Sequence, residues 1–197
     1  MPKIVDHEMQ KVKVAKATWR IIRKYGMEQA SVRNIADEAG ISVGSMRHYF
    51  STQSELLAYS MKLVSENVGR RIRNINFSGD LIIDIPNLVQ EILPTNEEKR
   101  LEMEVWFAFV VKSMSDSSLR GHRNEVDDDL RAIFINIMEG LTEKGLAKSE
   151  LNIPIEIERF YALIDGLAIH AILRPDKVSS EMIQRTIQIH LDSLCIP

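Results

Sequence analysis

Residues 31–50 read Ser31-Val32-Arg33-Asn34-Ile35-Ala36-Asp37-Glu38-Ala39-Gly40-Ile41-Ser42-Val43-Gly44-Ser45-Met46-Arg47-His48-Tyr49-Phe50. Ser31 offers an oxygen to cap a first helical turn, and Gly40 supplies the permissive backbone that ends a helix over 32–39. Ser42 caps a further helix over Val43–Tyr49 after the short break Gly40-Ile41-Ser42. Two short helices joined so tightly cross steeply, which is the geometry of a helix-turn-helix. Ile35, Ala36 and Ala39 form the packing face of the first; Ile41, Met46 and Phe50 close the small core, and Ala36 is small enough to let the second helix approach. Val43, Gly44, Ser45, Arg47, His48 and Tyr49 then point outward as a groove-facing surface whose first residues reach base edges and whose polar groups hold phosphate. Gly44 permits close approach.

Working outward, Val12, Val14, Ala15, Ala17, Trp19, Ile21 and Ile22 share 8–25 with six Lys and Arg residues, an amphipathic helix stopped by Gly26. Thr52 with Glu55 at capping-box distance opens a fourth helix that carries Leu56, Leu57, Met61, Val64 and Val68 towards Arg73. The Ser-Gly turn signal within 74–80 begins a different region. Further helices are expected near 81–93, 97–115, 120–145, 155–173 and 179–194, with no run of strands, so the fold class is all-α. The division is a helix-turn-helix domain over 1–52, a connecting helix over 53–76, and a helical body over 77–197.

Charge follows that division. Residues 1–76 hold 13 Lys and Arg against 7 Asp and Glu, whereas the remainder holds 12 against 21. A basic end on an acidic body suggests one surface that meets nucleic acid and another that faces away from it. Lys3, Lys11 and Lys13 add nonspecific attraction to phosphate. With 45% hydrophobic and 27% charged residues, disorder and fibrous classes are disfavoured. The lone Cys195 excludes an internal disulfide or a multi-thiolate zinc site. The opening MPKIVDHEMQ lacks the apolar run of a signal peptide, and no segment approaches the roughly 20 apolar residues of a membrane span, so a cytoplasmic location and no membrane partner are expected.

An all-helical enzyme is the rival reading, but the chain has no Gly-rich phosphate loop, Ser elbow or His-Glu-x-x-His, and no catalytic residue or cofactor is expected. His7, His48, His122, His170 and His190 lack ligand-pair spacing, and adjacent Asp127, Asp128 and Asp129 point in different directions on a helix. No metal is expected. An architectural DNA-binding protein without an effector is a third reading, disfavoured by the large apolar body.

Ile35-Ala36, Ala39-Gly40-Ile41-Ser42, Gly44, His48-Tyr49-Phe50 and Glu55-Leu56-Leu57 together resemble the N-terminal signature of the TetR family of bacterial regulators. The opening Pro2-Lys3-Ile4-Val5-Asp6-His7 and the string Arg47–Phe50 are most similar to its branch of BetI- and PksA-like regulators. The resemblance implies a homodimer on a palindromic double-stranded DNA operator, released by a small-molecule effector. Two positions depart from the family: Arg47 stands where many members have Tyr, and Gln53 where many have a phosphate-binding Lys. Arg47 either donates bidentately to guanine or clamps phosphate. His48 and Tyr49 hydrogen-bond phosphate, or the aromatic before Phe50 packs on the first helix instead. The DNA-contacting set is Ser31, Arg33, Ser42, Val43, Gly44, Ser45, Arg47, His48, Tyr49, Thr52 and Gln53, with Thr52 a cap first.

In the body, Met103, Trp106, Phe107, Val110, Phe134, Met138 and His170 are the candidate effector-pocket residues, although Trp and Met at helical spacing also suit a core. Phe160, Leu163, Leu167, Ala171, Ile183, Ile187, Leu191 and Leu194 make stripes on the last two helices. The resemblance places them at a two-fold four-helix interface, with intrachain packing as the alternative. Effector binding is expected to alter the separation or tilt of two DNA heads through the fourth helix.

Overall fold

The computed structural model describes residues 7–196, so the expected contribution of Lys3 and most of the opening hexapeptide signature lie outside the described residues. Nine α-helices run through them: α1 (His7–Tyr25), α2 (Val32–Ala39), α3 (Val43–Arg47), α4 (Gln53–Arg73), α5 (Leu81–Gln90), α6 (Glu97–Ser115), α7 (Arg120–Glu143), α8 (Ile153–Leu173) and α9 (Ser180–Leu194). The only extended pairing among the described residues is an isolated bridge between Ala147 and Cys195. α3 and α5 are shorter than their patterns suggest. His48 and Tyr49 leave α3, their N–H groups donating to Ser45 and Met46 in tight three-residue turns. α5 stops at Gln90, because Pro94 disfavours helical geometry in the residue before it and the intervening segment turns instead.

The described chain forms two compact units that interleave in sequence: residues 7–67 with 104–124, and 68–103 with 125–196. This differs from a division at residues 52 and 76, since part of α6 and the start of α7 cluster with the N-terminal helices.

In the first unit, α2 ends in a Schellman motif. Gly40 adopts φ 67°, its N–H donates to Asp37, and Ile41 N–H donates back to Ala36. Ile35, Ala36, Ala39, Met46 and Phe50 are buried there with Val14, Ala15, Ile21, Ile22, Leu56 and Met61. Trp19 Nε1 donates to the carbonyl of Ser60 at 3.2 Å, which ties α1 to α4 while satisfying an otherwise buried donor. Arg23 pairs with Glu104 of α6 at 3.3 Å, and Ser54 donates to Asp116 at 3.2 Å.

In the second unit, the last turn of α4 is fastened by charge. Arg71 meets Glu102 at 2.8 Å and Glu91 at 3.2 Å; Lys99 meets Glu91 at 2.9 Å and donates to the carbonyl of Gln90. Glu102 and Lys99 are both buried. Two cations balance two carboxylates, which is the condition for tolerating such groups away from water. Phe134 packs on Phe160 and Tyr161, each at 5.2 Å between ring centroids, and the Tyr161 hydroxyl donates to Asp127 at 2.8 Å. Asp127 therefore serves α8. Gly145, at φ 67°, repeats the Schellman motif at the end of α7, and the following loop pairs with the tail through Lys148 to Leu194 and Ile196 to Leu146.

His190 is buried on α9 against the ring of Phe160, with Nε2 lacking a partner among the described residues and Nδ1 3.5 Å from Arg159. Burial, reinforced by the Arg159 charge, pushes its pKa down to about 4. The unfolded chain takes up this proton near the ordinary value of about 6.5, whereas the folded chain resists it. Stability is therefore intact above pH ~6.5 and is lost on acidification towards pH ~4, by an amount on the order of 3 kcal/mol. Urea unfolding at pH 7 and pH 4.5 should show this loss, and His190→Gln should flatten it; an unchanged slope in the variant would assign the acid sensitivity elsewhere.

Candidate nucleic-acid interface

The reading segment is assembled by caps. Ser31 Oγ accepts from Asn34 N–H at 3.2 Å, Ser42 Oγ from Ser45 N–H at 3.0 Å, and Thr52 Oγ1 from Glu55 N–H at 3.0 Å, while Glu55 accepts in return from Ser51 N–H at 2.8 Å. Each hydroxyl stabilises its helix by about 1 kcal/mol over alanine. It also fixes the direction in which the first amides of α2, α3 and α4 point.

Met46 and Phe50 are buried, which turns the remainder of the segment outward. Gly44, Arg47 and His48 are exposed, and Val43, Ser45 and Tyr49 are half-buried. Arg33 is exposed on α2. Neither Arg33 nor Arg47 has an ion-pair partner among the described residues, so both guanidinium groups are free for an external anion. Tyr49 packs its ring on His7 of α1 at 4.8 Å between centroids, the packing alternative allowed by its sequence position, and its hydroxyl makes no hydrogen bond among the described residues. Gln53 is engaged within the chain. Its Nε2 donates to the carbonyl of Ala30 at 2.7 Å, so at least one donor expected for phosphate holds α4 to the loop before α2.

The fold itself does not need a glycine at 44. A Cβ built there meets only Ser42 Oγ, at 3.8 Å. On the far side of α2, Ile21, Tyr25, Gln29, Asn34, Asp37 and Glu38 line an open recess of about 480 Å³. Its two carboxylates make it a poor neighbour for phosphate.

The body residues divide less favourably. Phe134 and Met138 have no exposed surface, and His170 is exposed on α8. Met103, Trp106, Phe107 and Val110 are half-buried and retain accessible apolar surface. The expected dimer stripe follows the intrachain alternative in its burial. Phe160, Leu167, Ala171, Ile183, Ile187, Leu191 and Leu194 are buried within the single chain and Leu163 is half-buried. α8 carries a second apolar stripe. Ile155, Ala162, Gly166, Ile169 and Leu173 follow one another at intervals of 7, 4, 3 and 4 residues on one face of α8, and Leu173 is 72% exposed. Met182 and Ile189, seven residues apart on α9, are exposed as well. The spacing was readable in the sequence; which of two apolar faces meets the core was not.

Among the described residues, no group of three or more His, Cys, Asp or Glu is placed to hold a metal ion, and no helix is long and apolar enough to cross a membrane.

Residues 14–59 match the family described as bacterial regulatory proteins, tetR family, and residues 85–196 match the BetI-type transcriptional repressor C-terminal domain. The chain is 46% identical to the transcriptional regulator PksA of Bacillus subtilis (strain 168), covering 100% of this chain and 95% of the relative. It is 29% identical to the regulator BetI of Proteus mirabilis (strain HI4320), covering 91% and 88%. Among solved structures, a transcriptional regulator from Rhodococcus sp. Rha1 superposes with a TM-score of 0.83 at 24% identity, covering 95% of this chain and 99% of that one. A regulator from Saccharomonospora viridis solved in complex with choline gives 0.76 at 21% identity, covering 94% and 95%.

Gly44 yields a separable prediction. Gly44→Ala should leave thermal stability unchanged or raise it by about 0.5–1 kcal/mol, because alanine restricts the unfolded chain. It should weaken DNA binding by about tenfold, roughly 1.4 kcal/mol, if the missing side chain serves close approach. Paired melting and gel-shift measurements check both, and a variant that binds normally would leave Gly44 without a role in contact.

Proposed function

The chain belongs to the TetR family of bacterial regulators, with a BetI-type C-terminal domain, and on that premise we propose that it is a cytoplasmic homodimeric repressor released from a palindromic operator by a small-molecule effector. It is a helix-turn-helix transcriptional regulator and not an enzyme. The observation that carries the proposal is the outward set of Arg33, Gly44, Arg47 and His48 on a rigidly capped helix pair, with both guanidinium groups unpaired among the described residues. Ser31, Ser42 and Thr52 act as caps whose helix ends face phosphate; Val43, Ser45 and Tyr49 complete the surface, and Gln53 braces it. Functionally, residues 1–52 read DNA, 53–76 connect, and 77–197 carry the effector and the partner subunit.

Dimerisation is assigned to the exposed faces of α8 and α9. Isolated exposed apolar residues are ordinary, but a stripe running the length of a 21-residue helix, with Ala162 and Gly166 at its centre, suits close helix approach. Two recognition helices related by a two-fold axis then require an inverted repeat with half-sites about one helical turn or more apart. Ile169→Glu with Leu173→Glu should yield a monomer at micromolar concentration by sedimentation and reduce operator affinity to the nonspecific level; a dimer persisting in this variant would move the interface elsewhere.

Effector coupling is supported by the composition of the first compact unit. Trp106, Phe107 and Val110 on α6 offer half-buried apolar surface, and their segment is joined to α1 and the start of α4 by Arg23–Glu104 and Ser54–Asp116. A ligand that favours one placement of α6 thereby biases the DNA head, by its differential affinity for the two states. The choline complex of the Saccharomonospora viridis regulator supports a small-molecule effector as a class. Selection of genomic fragments with the purified protein should recover an inverted repeat; only salt-sensitive retention of unrelated sequence would overturn the specific-regulator reading.

A further inference from the structure

Tyr49 lies near the end of the reading segment, after a helix of five residues and within a tight turn. One face of its ring is tilted at 54° against the imidazole of His7, the first residue of α1. The same end of α1 is gripped a second time. Tyr59 on α4 donates its hydroxyl to Glu8 at 3.3 Å, Lys11 lies 5.6 Å above the Tyr59 ring and pairs with Glu8 at 3.3 Å, and Tyr59 packs on Phe50 at 5.3 Å. Adjacent residues 49 and 50 are thus held by the first two turns of α1, one directly and one through Tyr59.

A half-buried tyrosine at such a turn has two side-chain torsions to fix, and its hydroxyl serves phosphate only in rotamers that aim outward. His7 supplies the one ring contact that Tyr49 makes among the described residues, and the hydroxyl stays without a partner there.

We infer that His7 is a positioning residue for DNA binding, whose ring holds Tyr49 so that the free hydroxyl is presented to an operator phosphate. The inference rests on reading Tyr49 as a phosphate contact. His7 acts through Tyr49 and does not itself touch DNA. Preorganising one rotamer-rich side chain changes affinity by about threefold to tenfold.

The test uses the full chain and a duplex carrying the inverted repeat recovered by selection, with His7→Ala, His7→Phe, Tyr49→Phe and the pair His7→Ala/Tyr49→Phe. His7→Ala should raise Kd by about threefold to tenfold, His7→Phe should restore it to within about twofold, and His7→Ala should add nothing once Tyr49 is Phe. The slope of log affinity against log salt should be unchanged in His7→Ala, since no charge contact is removed. Should His7→Phe bind as poorly as His7→Ala with a slope reduced by about one, the imidazole itself contacts phosphate and the positioning role is overturned. Additive losses in the double variant overturn it equally. Normal binding by Tyr49→Phe removes the reading of Tyr49, whereas weakened binding with additive effects removes only the role of His7. His7→Phe keeps a ring against Tyr49, so it decides the matter even where His7→Ala loosens α1.

Discussion

The left-handed backbone at Gly40 sets the geometry on which the DNA head depends. With φ at 67°, it lets the Ile41 N–H turn back to Ala36 and ends α2 in one residue, and Ser42 then restarts the chain as α3. A residue with a Cβ meets no neighbour at this point, but its own backbone disfavours positive φ, so the constraint is conformational and not one of space. Any lengthening of this turn would change the crossing of α2 and α3. Met46 and Phe50 would then leave the small core, and Arg47 and His48 would lose their outward direction.

Around that turn the head is braced by polar ties. Trp19 binds the backbone of Ser60, Gln53 binds Ala30, and Arg20 pairs with Glu38. Trp19 is buried, whereas Arg20, Glu38 and Gln53 are exposed. The unpaired cations, Arg33 and Arg47, sit where nothing in the described chain competes for them. Gln53 serves as a brace here, because a neutral amide donates to a carbonyl without the desolvation cost of an ammonium.

The second unit answers a different demand. Its last turn of α4 is locked by Arg71, Lys99, Glu91 and Glu102, a balanced set in which removal of one member strands buried charge. α8 is apolar on two faces, one filling the core through Phe160, Ile164 and Leu167 and the other running exposed from Ile155 to Leu173. A helix that is hydrophobic nearly all round has more than one neighbour to satisfy. Within the chain α8 meets α7 through Phe134 and α9 through His190.

Local chemistry made much of this protein legible in one dimension. The caps Ser31, Ser42 and Thr52, the terminators Gly40 and Gly145, and the helix periods between them are decided by interactions within five or six residues, and such interactions are written in sequence order. The basic head and acidic body were equally visible, because charge needs no partner to be counted. Tertiary structure alone decided the choices between equivalent faces and equivalent partners. It turned Phe160, Ile183 and Leu191 into core and left Ile169, Leu173 and Ile189 exposed, filled the space around Phe134 and Met138, gave Gln53 to Ala30, and set His7 against Tyr49. Periodicity records that a face is apolar, but burial depends on which distant segment arrives against it, and that information is carried by the packing of the whole chain.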